Sequence, residues 1–170
     1  MAATRVLDAS TVDIVESHAV ELVFEYMAAT QQEAGRHVPA RVDQLPAGLR
    51  SECENLSAVF RPPGALLLAY DAERPAGCVG LQPRKPTGTA EVKRLYVRRS
   101  HRRDGIGRML MGHVHELAAQ RGFDRLVLDV MPTRSQVIDF YRRLGYTETE
   151  PFATESPDPM IYMETQVVPA

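Results

Sequence analysis

The spacing of apolar residues predicts the helices and strands in the first part of the chain. A short strand is predicted at Arg5–Leu7, and Ser10 with Asp13 resembles a helix-capping pair. Apolar residues then recur at three- and four-residue intervals from Val15 to Met27, which predicts an amphipathic helix with one buried face. A second helix is predicted at about Pro46–Ser57, because a proline stands in its first turn and a Pro-Pro-Gly break follows it.

The rest of the chain alternates predicted strands with predicted helices. Short apolar runs predict strands at residues 65–70, 77–81, 91–97, 126–130, 146–148 and 160–164. Apolar stripes of helical spacing predict helices at residues 105–120 and 135–144. Strands that alternate with helices in the middle of the chain and form a pair at its end predict a three-layer α/β domain with a mixed sheet.

The composition is that of an ordinary globular protein. The 170 residues are 44% hydrophobic and 25% charged, which excludes disordered, collagenous and coiled-coil classes and predicts a single domain over residues 1–170. The apolar runs are far shorter than the roughly 20 residues that cross a bilayer, so we expect no membrane partner and a cytoplasmic location. Cys53 and Cys78 form no CxxC pair, so we expect buried thiols rather than a disulfide framework or a zinc cluster.

Positive charge is concentrated in one segment of an otherwise acidic chain. Residues 84–108 carry nine basic side chains and two acids, although the formal net charge of the whole chain is -2. This segment predicts an anionic ligand. The sequence pI of about 6.2 favours a compact phosphate-bearing molecule over a nucleic acid, and no aromatic residues interleave the arginines as nucleic-acid binding would favour.

The basic segment has the order strand, arginine-rich turn, helix. The predicted strand is 91–97, the turn is 98–104, and the helix begins with Gly105, Ile106 and Gly107. Amide groups at a helix N-terminus carry partial positive charge, and glycines let phosphate oxygens approach the backbone. Guanidinium groups would supply further donors, namely Arg98, Arg99, Arg102, Arg103 and Arg108. A capped surface helix with solvated arginines is the alternative, and the P-loop and complete dinucleotide-binding patterns are absent.

Two motifs, one in this segment and one downstream of it, relate the sequence to a known family. The run RRDGIG at residues 102–107 fits the pattern Q/R-x-x-G-x-G/A, and the run FYRRLGY at residues 140–146 fits L/F-Y-x-x-x-G-F/Y. The sequence resembles the GNAT N-acetyltransferase superfamily in both motifs, most clearly over residues 65–148. The resemblance implies a mixed, mostly antiparallel central sheet of about seven strands, flanked by about four helices and splayed between strands four and five, with acetyl-CoA in the cleft.

The resemblance assigns acetyl-CoA as the cosubstrate and places it along the strand and the turn. The main chain of Leu95, Tyr96 and Val97 would pair with the pantetheine arm like an added strand. A bulge in this strand would turn an amide toward the thioester carbonyl. Backbone amides of the turn and the helix start would hold the pyrophosphate, and the implied residues are Arg102, Arg103, Asp104, Gly105, Ile106, Gly107 and Arg108.

The resemblance also assigns the groups that move protons. Glu91 matches a strand glutamate that is the general base in some members, directly or through a water, whereas a residue that orients substrate or pairs with a basic neighbour is the alternative. Tyr141 matches the proton donor to the coenzyme A thiolate, and a core tyrosine is the alternative. Lys93 or Arg94 would bind a substrate carboxylate, unless either is a structural ion-pair partner. Strand alternation places Lys93 on the face of Glu91 and Arg94 on the opposite face.

The predicted function is direct transfer of the acetyl group of acetyl-CoA to a primary amine, on a small molecule such as an amino acid or an amine metabolite. A non-catalytic acyl-CoA-binding sensor or interaction module is the alternative from another class. His113 and His115 lie on different helix faces, so we expect no metal site. We expect no nucleic acid or membrane partner, and a homodimer stays an option because dimers are common among relatives. One departure is Arg134, where many members have an asparagine that contacts the cofactor.

Overall fold

The computed structural model describes residues 4–9, 14–152, 156 and 158–169. Its strands are β1 (Thr4–Asp8), β2 (Ala65–Asp71), β3 (Arg74–Arg84), β4 (Thr89–Val97), β5 (Arg125–Val130), β6 (Thr147–Glu148) and β7 (Ile161–Gln166). Its helices are α1 (Ile14–Glu33), α2 (Ala47–Glu54), α3 (Leu56–Val59), α4 (Ile106–Gln120) and α5 (Ser135–Arg143). Within these ranges, no helix combines the length and the hydropathy that crossing a bilayer requires.

The described strands form one mixed sheet of seven, in the order β1-β2-β3-β4-β5-β7-β6. All neighbours run antiparallel except β4 and β5, which run parallel. The chain connects these two strands through α4, because a parallel pair needs a long crossover. This topology confirms the predicted α/β fold, with five helices in the described ranges where about four were expected.

The sheet opens between β4 and β5. In the part of the chain that the structure describes, these strands pair only through Thr89–Glu91 and Arg125–Val127, near the start of each. β4 then continues to Val97 and β5 to Val130 without mutual pairing. The diverging ends leave the edge of β4 uncovered, which confirms the predicted splay between strands four and five.

A hydrophobic core lies on each face of the sheet. The core on the face of α4 and α5 includes Leu67, and the core on the face of α1, α2 and α3 includes Leu66 and Leu68. Successive residues of β2 thus enter opposite cores, as the pleat of a strand requires. The sheet is buried on both faces, which gives the three predicted layers.

Two elements differ from the predicted ones. The second predicted helix is divided at Asn55, which has a non-helical φ of -133 and whose Nδ2 donates to the carbonyl oxygen of Ser51 at 2.8 Å. Strand β3 (Arg74–Arg84) is longer than the predicted run, because its pairing with both neighbours continues past that run. The predicted capping pair of Ser10 and Asp13 lies outside the described residues.

The close approach of β3 to the end of β4 gives a prediction about stability. A Cβ at Gly77 would lie 2.5 Å from the Tyr96 carbonyl oxygen and 3.3 Å from Val97 Cα, so Gly77→Ala must displace one of the strands. We expect the variant to lose about 1–3 kcal/mol of unfolding free energy.

Gly112→Ala is the matched control, because a Cβ at Gly112 in α4 meets no described atom within 4 Å. The control should gain up to about 1 kcal/mol through helix propensity. Urea unfolding of both variants measures the difference, and equal midpoints would contradict the prediction.

Candidate active site

Strand β4 carries a bulge beside the splay. Cys78 pairs with Tyr96 and Gly80 with Lys93, so a step of two residues in β3 corresponds to a step of three in β4. Arg94 has a φ of 58, in the left-handed region that regular strands avoid, and it is the extra residue. The Cys78 thiol donates to the Arg94 carbonyl oxygen at 3.4 Å. The structure therefore contains the bulge that the family resemblance implies.

The bulge changes the direction of Arg94. Its Nε and Nη2 donate to the two carboxylate oxygens of Glu52 in α2, each at 2.7 Å, and its guanidinium lies over the ring of Tyr26 in α1 at 5.5 Å. Burial opposes the charge of Glu52, but the hydrogen bond to Arg94 and the charges of Arg94 and Lys93 together outweigh this effect, so the pKa of Glu52 is lowered. Arg94 thus lies on the α1 side of the sheet, where alternation also places Glu91 and Lys93. The prediction that Arg94 faces the opposite side is wrong, because the extra residue shifts the alternation by one.

A cleft of about 960 Å³ opens at the splay, between the end of β4, the end of β5, the starts of α4 and α5, and the second half of α1. Lys93, Arg94 and Tyr141 lie on its wall. The predicted cofactor-binding residues on the wall are Leu95, Tyr96, Val97, Arg102, Arg103, Gly105, Gly107 and Arg108. Asp104 is not on the wall, and the side chain of Ile106 is buried in the core beneath α4.

One end of the cleft has the features of a diphosphate site. Helix α4 begins at Ile106, and among the described residues no side chain caps its N-terminus, so the amides of its first turn can bind an anion. Gly105 has a φ of 83, which favours glycine. A Cβ at Gly107 would lie 3.6 Å from Phe140 Cζ, an ordinary contact distance, so packing alone would admit a larger residue. Glycine therefore leaves space in front of the backbone that a bound ligand can use.

Arg98, one of the predicted phosphate donors, does not serve the cleft. Its Nε donates to Glu25 Oε2 in α1 at 3.0 Å, and its Nη1 donates to the Pro75 carbonyl oxygen at 2.8 Å. These bonds hold α1 against the end of β4. The prediction for Arg98 is wrong, because carboxylates of α1 already occupy its guanidinium. The arginines of the turn and the helix start that do line the cleft are Arg102, Arg103 and Arg108.

Glu91 is buried and is not on the cleft wall. Arg84 Nε in β3 donates to Glu91 Oε2 at 2.6 Å, and the Arg84 guanidinium lies over the ring of Phe152 at 5.8 Å. Burial raises the pKa of Glu91, and the charges of Lys93 and Arg84 partly oppose this effect. The contact with Arg84 is the ion pair that the sequence analysis gave as the alternative, and the role of Glu91 as general base stays a prediction.

Tyr141 brings a hydroxyl to the cleft from α5. Its buried ring lies 5.5 Å from the ring of Phe140 and 5.6 Å from that of Tyr146. Burial raises the pKa of Tyr141 far above its usual range, so the hydroxyl stays protonated at neutral pH and can donate a proton. Its action on a leaving thiolate stays a prediction.

The other end of the cleft contains polar residues that the sequence analysis did not assign. Its wall includes Tyr26 and Glu33 of α1 and Asp129 of β5. Burial raises the pKa of Asp129, although nearby cations partly oppose this effect. Asp129 carries the same sequence signal as the strand-four glutamate, since it is an acid inside the apolar run of residues 126–130. Tyr26 was one of the apolar positions that predict the buried face of the first helix, and Glu33 carried no signal because glutamates are common on the solvated side of a helix.

Arg134 links two walls of the cleft. Its Nε donates to Glu33 Oε2 at 2.5 Å and its Nη2 to Thr30 Oγ1 at 3.1 Å, both in α1. Its guanidinium lies over the ring of Tyr26 at 5.9 Å. The residue that stands in place of the family asparagine therefore ties the start of α5 to α1 across the splay.

Comparison with known proteins identifies the family. Residues 22–146 match the sequence profile described as Acetyltransferase (GNAT) family. The chain belongs to this family. An uncharacterized N-acetyltransferase of Schizosaccharomyces pombe is 30% identical over 118 residues, which make up 68% of this chain and 72% of that protein.

Solved GNAT structures share the fold. An acetyltransferase of the GNAT family from Staphylococcus aureus Mu50 matches 98% of this chain and 100% of its own, with a TM-score of 0.76 and 15% identity. An aminoglycoside 6'-N-acetyltransferase complexed with coenzyme A matches 98% of each chain, with a TM-score of 0.68 and 19% identity. The GNAT family uses acetyl-CoA. The uncapped amides of α4 and the guanidinium groups beside them are donors that suit the phosphates of this cosubstrate.

The cysteines of this GNAT protein give a prediction about the site. Cys53 and Cys78 are buried, and neither belongs to the described wall of the cleft. Burial raises the pKa of Cys78 from 9.0 to about 12, so its thiolate fraction at pH 8 is lower by a factor on the order of a thousand.

We expect both thiols to resist iodoacetamide in the folded protein and to react once urea has unfolded it, with mass spectrometry as the measurement. Acetyl transfer should survive the treatment of the folded protein. Fast labelling of either cysteine in the folded state, with loss of activity, would indicate an acyl-cysteine route instead.

Proposed function

We propose that this chain transfers the acetyl group of acetyl-CoA directly to a primary amine of a small molecule, such as an amino acid or an amine metabolite. The observation that carries the proposal is the cleft at the splay. The bulged edge of β4, the start of α4 and Tyr141 all open onto it. One cleft that accommodates both substrates makes direct attack sufficient, so the reaction needs no acyl-enzyme.

Each part of the cleft wall has a task in this proposal. The free edge of β4 at Leu95–Val97 would bind the pantetheine arm, and the start of α4 would hold the diphosphate. A backbone amide at the bulge would stabilise the charge that develops on the thioester oxygen. Tyr141 would give its proton to the leaving sulfur, and its burial supports this task by keeping the phenol protonated.

The charges at the acceptor end favour an amine that also carries a carboxylate. Lys93 lies on the wall and forms no salt bridge with any residue in the described ranges, so its ammonium is available to a substrate. Arg94 lies there too, but Glu52 already occupies two of its donors. Lys93 is therefore the better candidate for the predicted substrate carboxylate, with Arg94 as a fixed neighbouring charge.

The test is release of free coenzyme A thiol across a panel of amino acids, polyamines, aminoglycosides and short peptides. We expect saturable turnover with a small amine. Tyr141→Phe should lower kcat by about a hundredfold or more while calorimetry shows unchanged acetyl-CoA affinity, because only the proton donor is lost. Tyr70→Phe is the matched control, since Tyr70 is buried in the other core and hydrogen bonds to His18.

Two outcomes would contradict the proposal. Saturable acetyl-CoA binding with no turnover on the whole panel would favour the non-catalytic sensor. Turnover confined to peptide N-termini would keep the acetyl transfer but overturn the small-molecule acceptor.

A further inference from the structure

Two carboxylates lie near the splay on the α1 side of the sheet, and their surroundings differ. Glu91 has 3% of its surface exposed, and Arg84 donates to it at 2.6 Å. Asp129 is half-buried and lies on the cleft wall. Within the described part of the chain, no other side chain forms a hydrogen bond or salt bridge with Asp129, and its own backbone amide is its hydrogen-bond partner. The carboxylate of Asp129 is therefore open to a molecule in the cleft, whereas that of Glu91 is already paired.

The position of Asp129 follows from the divergence of the two strands. Glu91 and Val127 form the last parallel pair, and Lys93 and Asp129 stand two residues farther along their strands, where the cleft begins. The charge of Asp129 contributes to the raised pKa of Tyr141, so the carboxylate and the phenol are within electrostatic reach of each other. A carboxylate and a buried phenol thus face one space, as an amine acetylation requires.

We infer that Asp129 takes the proton from the ammonium of the acceptor, and that Glu91 with Arg84 forms a closed ion pair beside it. This inference rests on the proposed acetyl transfer and assigns one step of it. Asp129 is then a catalytic residue, because it touches the reacting nitrogen.

The protons and electrons of the step balance as follows. The ammonium gives one proton to Asp129, which passes it to solvent. The freed electron pair of the nitrogen forms a bond to the acetyl carbonyl carbon, and the carbon–sulfur bond breaks with its electron pair on sulfur. Sulfur takes a proton from Tyr141, and the second proton lost by the new amide nitrogen restores the phenol. Each turnover therefore releases one proton.

The charged and titratable groups around Asp129 suit this task. They come from β3, β4, β7, α1, α5 and the loop before α5, and they are Arg84, Glu91, Lys93, Arg94, Tyr162, Tyr26, Glu33, Tyr141 and Arg134. Arg84, Arg94 and Arg134 each form a salt bridge with a glutamate. Among these described groups, Lys93 is therefore the cation that remains for the carboxylate or the substrate. Burial raises the pKa of Asp129 against these cations, and a raised pKa makes the carboxylate a stronger proton acceptor.

The experiment compares Asp129→Asn, Glu91→Gln and the control Asp139→Asn, an exposed aspartate of α5 that pairs with Arg142. Asp129→Asn should lower kcat with the best amine of the panel by about 10²–10⁴-fold. In this variant log(kcat/KM) should rise by about one per pH unit until the pH reaches the pKa of the substrate amine, since only the free amine reacts. In the wild type, log(kcat/KM) should stop rising at a pH below that pKa, because Asp129 can take the proton from the ammonium. Glu91→Gln should keep the wild-type profile.

Two further measurements separate chemistry from structure. Acetyl-CoA affinity by calorimetry should be the same in all variants and in the wild type. Asp129→Ala should regain part of its activity in added formate, because a small carboxylate can replace the missing group.

Several results would overturn the inference. A wild-type kcat in Asp129→Asn would show that Asp129 is not the base. If the altered pH profile appeared in Glu91→Gln and not in Asp129→Asn, Glu91 would be the base instead. Lost acetyl-CoA binding or lost folding in both Asp129 variants would make the residue structural. A wild-type protein that acetylates no amine would overturn the proposed function. This result is seen in the wild type alone, so it can be distinguished from a failure of the inference about Asp129, which is seen only when the variants are compared.

Discussion

The parting of β4 from β5 is the constraint on which the site depends. The strands pair at Thr89–Glu91 and then separate, although both continue for several residues. Backbone amides and carbonyls at a strand edge need partners, and here they face a cleft rather than another strand. The bulge at Arg94 lies at the same place and increases the local twist of β4. A gap in a central sheet, rather than a surface loop, therefore offers the free strand edge along which we propose that the cosubstrate binds.

Ion pairs fix the walls of this gap and thereby define which charges remain for a substrate. Arg98 holds Glu25 of α1 against the end of β4, and Arg94 holds Glu52 of α2. Such partly buried ion pairs fix the positions of α1 and α2 relative to the sheet but add little net stability, because the cost of desolvating the charges offsets much of their attraction. What remains on the wall is a cationic end beside α4 and an end with Lys93 and Asp129. A chain with a formal net charge of -2 can therefore still attract an anion, because the charges that surround the site matter more than the net charge of the whole chain.

Regular features could be predicted from the sequence, and irregular ones could not. The strands and helices followed from apolar spacing, and two short motifs located both Tyr141 and the glycines at the start of α4, Gly105 and Gly107. The direction of Arg94 was missed because alternation assumes a strand without an extra residue. The partner of Arg98 was missed because its long side chain reaches carboxylates of α1, which are distant in sequence. A local sequence pattern does not show which helix packs beside a given residue. Asp129 could have been identified, since an acid in an apolar strand is unusual.

The most direct test of the central claim is amide hydrogen exchange with and without acetyl-CoA. If the cosubstrate lies along the splay, exchange should slow in two segments, the end of β4 at Leu95–Val97 and the first turn of α4 at 106–108. The edge strand β1 at Thr4–Asp8, on the far side of the sheet, should not change. If saturating acetyl-CoA slowed amide exchange in other segments but in neither of these two, the result would contradict the account.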